Sequence, residues 1–206
     1  LSKKPMNHPF STALTEELIP KIRHFVEENL FPLETTENLS GNFSVVEPHL
    51  LELRKKVKEI GLWGLALPAD MGGQGLNLCE FGQVSEYLAQ SPFGHFVFNS
   101  QAPDIGNMGL LHAYANKGIK DKYLAPLAAG EIRSCVSMTE PAYAGSNPVR
   151  RGILAMKVGD NYVINGHKWF TSSADGAAFA IVMAITNPQA EPHKRASQIL
   201  VPLDSE

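Results

Sequence analysis

The sequence predicts an α+β protein, with an all-α helical bundle over residues 1–131 and an antiparallel, barrel-like β domain over residues 132–206. Before Gly130, apolar residues recur three and four positions apart, which is the period of one face of a helix. After Gly130, they form short runs rich in β-branched residues, separated by turn sequences at residues 159–161 and 165–166. The change of period therefore marks the predicted domain boundary.

The first two predicted helices are amphipathic. An apolar stripe runs from Leu18 to Leu30, and Pro20 is expected in the first turn, where a missing N–H costs no hydrogen bond. The second helix is expected from about Pro48 to a stop at Gly61. Its basic residues are predicted to form a solvated face: Arg54, Lys55, Lys56 and Lys58.

Further helical spacing covers residues 78–88, 93–98, 105–111 and 119–127. The glycine-rich segment 68–75 lacks both a following Lys-Ser/Thr and the GxGxxG spacing, so a tight turn is favoured over a phosphate-binding loop. Four large apolar residues of this half could line a ligand pocket, although such residues more often form the core: Phe96, Phe98, Met108 and Leu111.

The β domain is predicted to contain strands at residues 132–138, 153–158, 162–164, 168–170, 179–186 and 198–201. The chain begins at Leu1 without methionine and ends at Glu206, directly after the last of these runs. We therefore expect it to be part of a longer protein.

Composition excludes several classes of function. With 18 basic and 21 acidic residues, the chain is too balanced to predict nucleic-acid binding. No apolar run approaches the roughly 20 residues of a membrane-spanning helix, and no signal-peptide core is present, so a soluble, intracellular protein is expected. The two cysteines, Cys79 and Cys135, form no metal motif, and we predict reduced, buried thiols and no metal site.

Two separated motifs carry the candidate chemistry. In Met138-Thr139-Glu140-Pro141, a strand runs out into an irregular segment that leaves backbone groups free for a ligand. An ordinary hydrogen-bonded turn would explain the same residues without a ligand. The second motif is Asn165-Gly166-His167-Lys168-Trp169-Phe170-Thr171.

Together these motifs resemble the acyl-CoA dehydrogenase family, whose flavin site pairs a Thr-Glu-Pro…Gly-Ser segment with an Asn-Gly-x-Lys-x-Trp/Phe-x-Thr segment. The resemblance covers almost the whole chain, but only the family's N-terminal and middle portions. The run Asp104-Ile105-Gly106-Asn107-Met108 is most similar to the subgroup of family members ten and eleven. The family's C-terminal helical domain is then missing from this chain.

The resemblance implies FAD as cofactor and assigns residues to it. Thr171 is expected near the hydride-accepting N5 atom, Trp169 against the ring with Phe170 beside it, and Ser146 near both the FAD pyrophosphate and the acyl-CoA substrate. Four residues are expected to face the pyrimidine edge of the ring: Val136, Ser137, Met138 and Thr139. Fixed donors at that edge would stabilise the negative charge of the reduced flavin.

The resemblance also implies that the catalytic base lies outside these residues. Glu140 is tempting as a catalytic base, but the family pattern gives this carboxylate a structural role. No catalytic residue is assigned in this chain, because the family's glutamate base is expected beyond Glu206. Asn147-Pro148 and Arg150-Arg151 depart from the family pattern, so binding of the pyrophosphate end is less firmly implied than binding of the ring.

The function implied is α,β-dehydrogenation of acyl-CoA thioesters in fatty-acid β-oxidation, with the chain itself an inactive fragment. The expected partners are acyl-CoA, electron-transferring flavoprotein and, at full length, identical subunits in a dimer or tetramer. The expected location is the mitochondrion, with the peroxisome as the alternative. Two other functions are left open: an acyl-CoA oxidase, and a truncated, non-catalytic module that binds acyl-CoA or partner subunits.

Overall fold

The computed structural model describes residues 9–204. The chain forms two compact units, with the boundary between Ile105 and Gly106. All strands follow Gly130 and the long helices precede it, so the predicted α+β class is confirmed. The domain boundary that the sequence predicts between residues 131 and 132 stays a prediction.

In the described part of the first unit, five α-helices precede a sixth that begins at Asp104. Helix α1 spans Ala13–Phe25 and continues through a π-helical turn at Val26–Leu30. The others are α2 at Thr36–Ser40, α3 at Phe43–Glu59, α4 at Leu78–Leu88 and α5 at Gly94–Val97. Apolar faces of these helices and of the segments between them form one core, which includes the fully buried Ile22, Leu30, Leu50, Val57, Leu65, Val84, Leu88 and Phe98.

Both helices with a predicted proline start begin earlier than expected. Thr12 and Thr15 form a reciprocal capping box that starts α1 at Ala13, so Pro20 lies inside the helix rather than in its first turn. Helix α3 begins at Phe43, ahead of Pro48, and the ring of Phe43 packs edge-on against Phe96 at 5.3 Å between centroids. The predicted stop at Gly61 is confirmed, with a left-handed φ of 72°.

Arg54 is not on a solvated face, which corrects the sequence-based prediction. It is 4% exposed, and its Nη2 donates to Oδ1 of Asn99 at 3.1 Å while Nη1 donates to the Phe96 carbonyl. Its Cζ also lies 4.7 Å from the ring centre of Trp63 and 4.5 Å from that of Phe96. Lys55, Lys56 and Lys58 are exposed as expected.

Among the described residues, three α-helices and a π-helical turn at Lys120–Leu124 precede the five-stranded sheet of the second unit. Helices α6, α7 and α8 span Asp104–Tyr114, Lys117–Ile119 and Ala125–Ala129. The strands are β1 at Ser134–Ser137, β2 at Leu154–Val158, β3 at Asn161–Asn165, β4 at Phe179–Ile185 and β5 at Ala196–Pro202. Helix α6 is tied to β1, because Nδ2 of Asn107 donates to Oγ of Ser134 at 2.9 Å and to the Cys135 carbonyl at 3.3 Å.

The sheet is mixed, whereas the sequence predicted an antiparallel one. The pairs β2–β3 and β4–β5 are antiparallel, but β1 pairs with β4 in parallel, and Leu154 of β2 pairs with Ile185 of β4 in parallel. A parallel pair needs a long crossover, here residues 138–178, and turn sequences reveal only local hairpins. The strand predicted at residues 168–170 is also wrong: this segment belongs to no strand, and Phe170 has a left-handed φ of 51°.

Three further expectations concern the two cysteines, the large apolar residues and membrane-spanning helices. Cys135 is buried as predicted, whereas Cys79 is exposed in the first turn of α4. Phe98 and Met108 are fully buried as core residues. No helix within residues 9–204 is long and apolar enough to cross a membrane.

Replacement of Arg54 by methionine should lower the free energy of unfolding by about 3 kcal/mol, because Asn99 and Phe96 lose a charged donor inside the first unit. Urea denaturation of the purified protein measures the change. Lys55→Met is the matched control and should stay within about 0.5 kcal/mol, since Lys55 is exposed. Equal effects of the two substitutions would contradict the structural role given to Arg54.

Candidate functional site

The two motifs meet at the carboxyl end of β1. The amide of Trp169 donates to the carbonyl of Thr139 at 3.2 Å, and the hydroxyl oxygens of Ser137 and Thr171 lie 3.4 Å apart. We call residues 136–139 and 168–171 together the β1-end site. The structure thus brings together seven of the eight predicted cofactor residues, and Ser146 lies in the loop that follows.

A buried ion pair holds the β1-end site in place. Nζ of Lys168 donates to Oε1 of Glu140 at 2.8 Å, and the side chains are only 11% and 4% exposed. The same ammonium donates to the Met183 carbonyl of β4 at 2.7 Å and to the Met138 carbonyl at 3.1 Å. The second motif is therefore fixed to both β1 and β4 through one side chain.

Glu140 also anchors the segment that leads into β2. Its Oε2 accepts the amide of Gly152 at 2.7 Å, and both oxygens accept the amide of Ile153, at 3.4 and 3.3 Å. Burial opposes ionisation of this carboxyl, but hydrogen bonds from Lys168 and the Gly152 amide outweigh it and lower the pKa of Glu140 below its ordinary value. Such a carboxylate is a poor proton acceptor, so its geometry is that of an anchor rather than of a general base.

The loop of residues 141–150 passes close to Thr139. A Cβ atom at Gly145 would lie 3.1 Å from Cγ2 and 3.4 Å from Oγ1 of Thr139, so glycine is what allows this approach. Ser146 follows directly and is exposed. The loop therefore presents the Ser146 hydroxyl to solvent next to the β1-end site.

Aromatic side chains border the site and are open to solvent. Trp169 is 43% exposed and Phe170 is 80% exposed, and their ring centres lie 4.9 Å apart. Exposed apolar side chains that are grouped together mark surfaces that meet a ligand or another part of a protein. These two rings lie next to the hydroxyl groups of Ser137 and Thr171, so the surface combines apolar and polar groups.

Arg151 contributes to the site although sequence reasoning gave it no role. Its Nη1 donates to the Met138 carbonyl at 2.8 Å, and its Nε donates to the Pro148 carbonyl at 3.2 Å. The only signal in the sequence was the departure from the family pattern at Arg150-Arg151, which does not reveal where the guanidinium points.

Two other kinds of site were sought. Within residues 9–204, no group of three His, Cys, Asp or Glu side chains could hold a metal ion. A largely apolar, open cavity of about 510 Å³ lies in the second unit, between α6 and strands β4 and β5, with Leu111, Ile181 and Leu200 among its lining residues. Of the four residues that the sequence proposed for an apolar pocket, Leu111 lines this cavity.

Comparison with protein-family models gives a consistent match. Residues 12–131 match the N-terminal domain of acyl-CoA dehydrogenases, and residues 135–206 match their middle domain.

Similar curated proteins come from animals and bacteria. Acyl-CoA dehydrogenase family member 10 of Mus musculus is 35% identical over 92% of this chain, and family member 11 of Homo sapiens is 36% identical over 92%. The acyl-CoA dehydrogenase FadE2 of Mycobacterium tuberculosis is 40% identical over 90%. The chain spans only 19%, 25% and 47% of these three relatives.

Solved structures give the same result. A structure from Mycobacterium abscessus that is assigned to the acyl-CoA dehydrogenases has a TM-score of 0.86 and 36% identity, covering 94% of this chain and 51% of that one. A glutaryl-CoA dehydrogenase from Mycobacterium smegmatis, solved in complex with FADH2, has a TM-score of 0.69 and 26% identity, covering 94% of this chain and 46% of that one.

Replacement of Glu140 by glutamine should lower the free energy of unfolding at neutral pH by about 3 kcal/mol, because it leaves the Lys168 ammonium buried without its counter-charge. Since the folded pKa of Glu140 is lowered, its contribution is complete above the unfolded pKa of about 4.3 and is lost as the pH falls through the folded value. The difference between wild type and variant should therefore shrink in acid, as measured by urea unfolding at several pH values.

The control is Asp121→Asn, which removes the carboxylate of an exposed pair with Lys117. It should change stability by less than about 1 kcal/mol at any pH. A Glu140→Gln effect that is small, or that grows as the pH falls, would contradict the anchoring role.

Proposed function

The chain belongs to the acyl-CoA dehydrogenase family, and from this premise we propose that the protein carrying it is an FAD-dependent oxidoreductase that introduces an α,β double bond into acyl-CoA thioesters. The family relationship supports an oxidoreductase. The cofactor, the reaction and its place in fatty-acid β-oxidation are the proposal.

The observation that carries this proposal is the meeting of the two motifs at the β1-end site. Ser137, Thr139 and Thr171 bring hydroxyl groups to one place, beside the exposed Trp169 ring. Within the described residues, the amide N–H of Thr139 has no hydrogen-bond partner. This donor set fits the polar edge of an isoalloxazine ring, and the indole fits its apolar face.

Individual roles follow from this fit. Val136, Ser137, Met138 and Thr139 would line the pyrimidine edge, Trp169 and Phe170 would contact the ring, and Thr171 would donate near N5. Ser146, in the loop held close by Gly145, would reach the pyrophosphate of FAD and the acyl-CoA. The flavin would supply the two-electron acceptor chemistry when bound. The neighbour solved with FADH2 supports this choice of cofactor.

The general base is proposed to lie outside residues 1–206. Glu140 cannot serve, because its carboxylate is buried and hydrogen-bonded to Lys168, Gly152 and Ile153. The relatives are much longer than this chain, which leaves room for a base in the part that they do not share with it.

The proposal extends to partners. We propose electron-transferring flavoprotein as electron acceptor, a homodimer or homotetramer at full length, and a mitochondrial or peroxisomal location. One structural neighbour is a complex of two chains, ChsE4 and ChsE5, which supports assembly in this family.

The full-length protein should purify with bound FAD and reduce an artificial electron acceptor when given acyl-CoA, whereas the 206-residue chain alone should not. Dye reduction with a series of acyl-CoA chain lengths measures this. Oxygen consumption without added acceptor would indicate an oxidase instead. A full-length protein that binds acyl-CoA but never flavin would contradict the proposal in favour of a non-catalytic binding module.

Thr171→Val in the full-length protein should shift the flavin absorbance spectrum and lower turnover about tenfold, the loss expected for one hydrogen bond to a reacting group. Stability should change little, because Thr171 is only partly buried. Thr36→Val is the matched control, since it makes the same substitution at an exposed residue in helix α2 of the first unit. Unchanged spectrum and turnover in Thr171→Val would show that the hydroxyl is not near the flavin.

A further inference from the structure

The Met138 carbonyl receives hydrogen bonds from two cations. Nη1 of Arg151 donates at 2.8 Å and Nζ of Lys168 at 3.1 Å. The Lys168 charge is compensated by Glu140, but Arg151 forms no ion pair with any residue in the described part of the chain. One uncompensated positive charge is therefore held at this carbonyl.

The position of Arg151 carries an energetic cost. Its Nη2 atom is buried and has no hydrogen-bond partner among residues 9–204. A buried donor without a partner costs about 1–3 kcal/mol, so the arrangement is unfavourable for stability alone.

The charge acts on the other side of the same peptide group. In a planar trans peptide the C=O of Met138 and the N–H of Thr139 point in opposite directions. Donors at the carbonyl polarise the peptide and strengthen its N–H as a donor. That N–H is the one without a partner in the described residues, so the strengthened donor is available to a ligand.

We propose that Arg151 is a positioning residue that, through the Met138–Thr139 peptide, makes the Thr139 amide a strong donor to a bound heteroaromatic ring and raises the reduction potential of that ring. This inference rests on the proposed function. Reduction places negative charge on the acceptor edge of a flavin, so a polarised N–H and a nearby cation stabilise the reduced form more than the oxidised form.

A purely structural role for Arg151 makes a different prediction. Its bonds to the Met138 and Pro148 carbonyls also tie the loop before β2 to the end of β1. If that were its whole role, removal of the guanidinium would change stability and leave the potential of the bound flavin unaltered.

The test uses the full-length protein with bound FAD and the substitution Arg151→Met, which removes the charge and keeps most of the apolar stem. The midpoint potential is measured by equilibration with redox dyes. The variant should bind reduced flavin about tenfold more weakly relative to oxidised flavin. This change lowers the midpoint potential by about 30 mV for a two-electron couple. Arg150→Met is the matched control, because it removes the same charge from the exposed neighbouring residue, and should shift the potential by less than a third of that amount.

Two further variants keep the test decisive. Arg151→Lys retains the charge and should keep the midpoint potential near the wild-type value. Arg151→Gln is neutral and should lower the midpoint potential as Arg151→Met does. It replaces Arg151→Met in the test if the methionine variant folds poorly. A wild-type potential in FAD-loaded Arg151→Met or Arg151→Gln overturns this inference and leaves the proposed function standing. A wild-type protein that never binds flavin overturns the proposed function itself.

Discussion

The buried ion pair between Glu140 and Lys168 is the interaction on which the candidate site depends. It joins the end of β1, the segment before β2, the second motif and β4 through two side chains. The hydrogen bonds of the sheet do not connect all four segments, because residues 138–153 and 166–178 lie outside its strands. Removing either charge leaves the other buried, so the pair holds the two motifs together only while both are ionised.

Basic side chains donate to backbone carbonyls at three places in the described part of the chain. Arg54 donates to the carbonyl of Phe96, Lys168 to those of Met138 and Met183, and Arg151 to those of Met138 and Pro148. Of these carbonyls, those of Met138 and Pro148 lie outside the helices and strands, so no regular backbone ladder supplies their donors. Long, basic side chains reach them from other elements, which explains how irregular segments keep a defined shape beside the regular ones.

The chain corresponds to part of the length of an acyl-CoA dehydrogenase. It matches the N-terminal and middle domains of the family and spans at most about half of the compared relatives. Its polar groups are suited to holding and tuning a ring, whereas its one carboxylate at the site is already engaged. Binding and tuning are thus proposed for these residues, and proton removal for residues outside them.

The sequence by itself determined the α+β class, the hairpin between β2 and β3, and the two motifs at the site, because helical period, turn residues and motif spacing are local properties. Only the tertiary structure decided the parallel pairing of β1 with β4 and the burial of Arg54. It also decided the irregular, non-strand course of residues 168–171 and the place of Arg151 at the Met138 carbonyl. In each of these cases the outcome depends on a partner distant in the chain. A charge pattern shows that a side chain is basic, but only packing shows whether its head reaches water or a carbonyl.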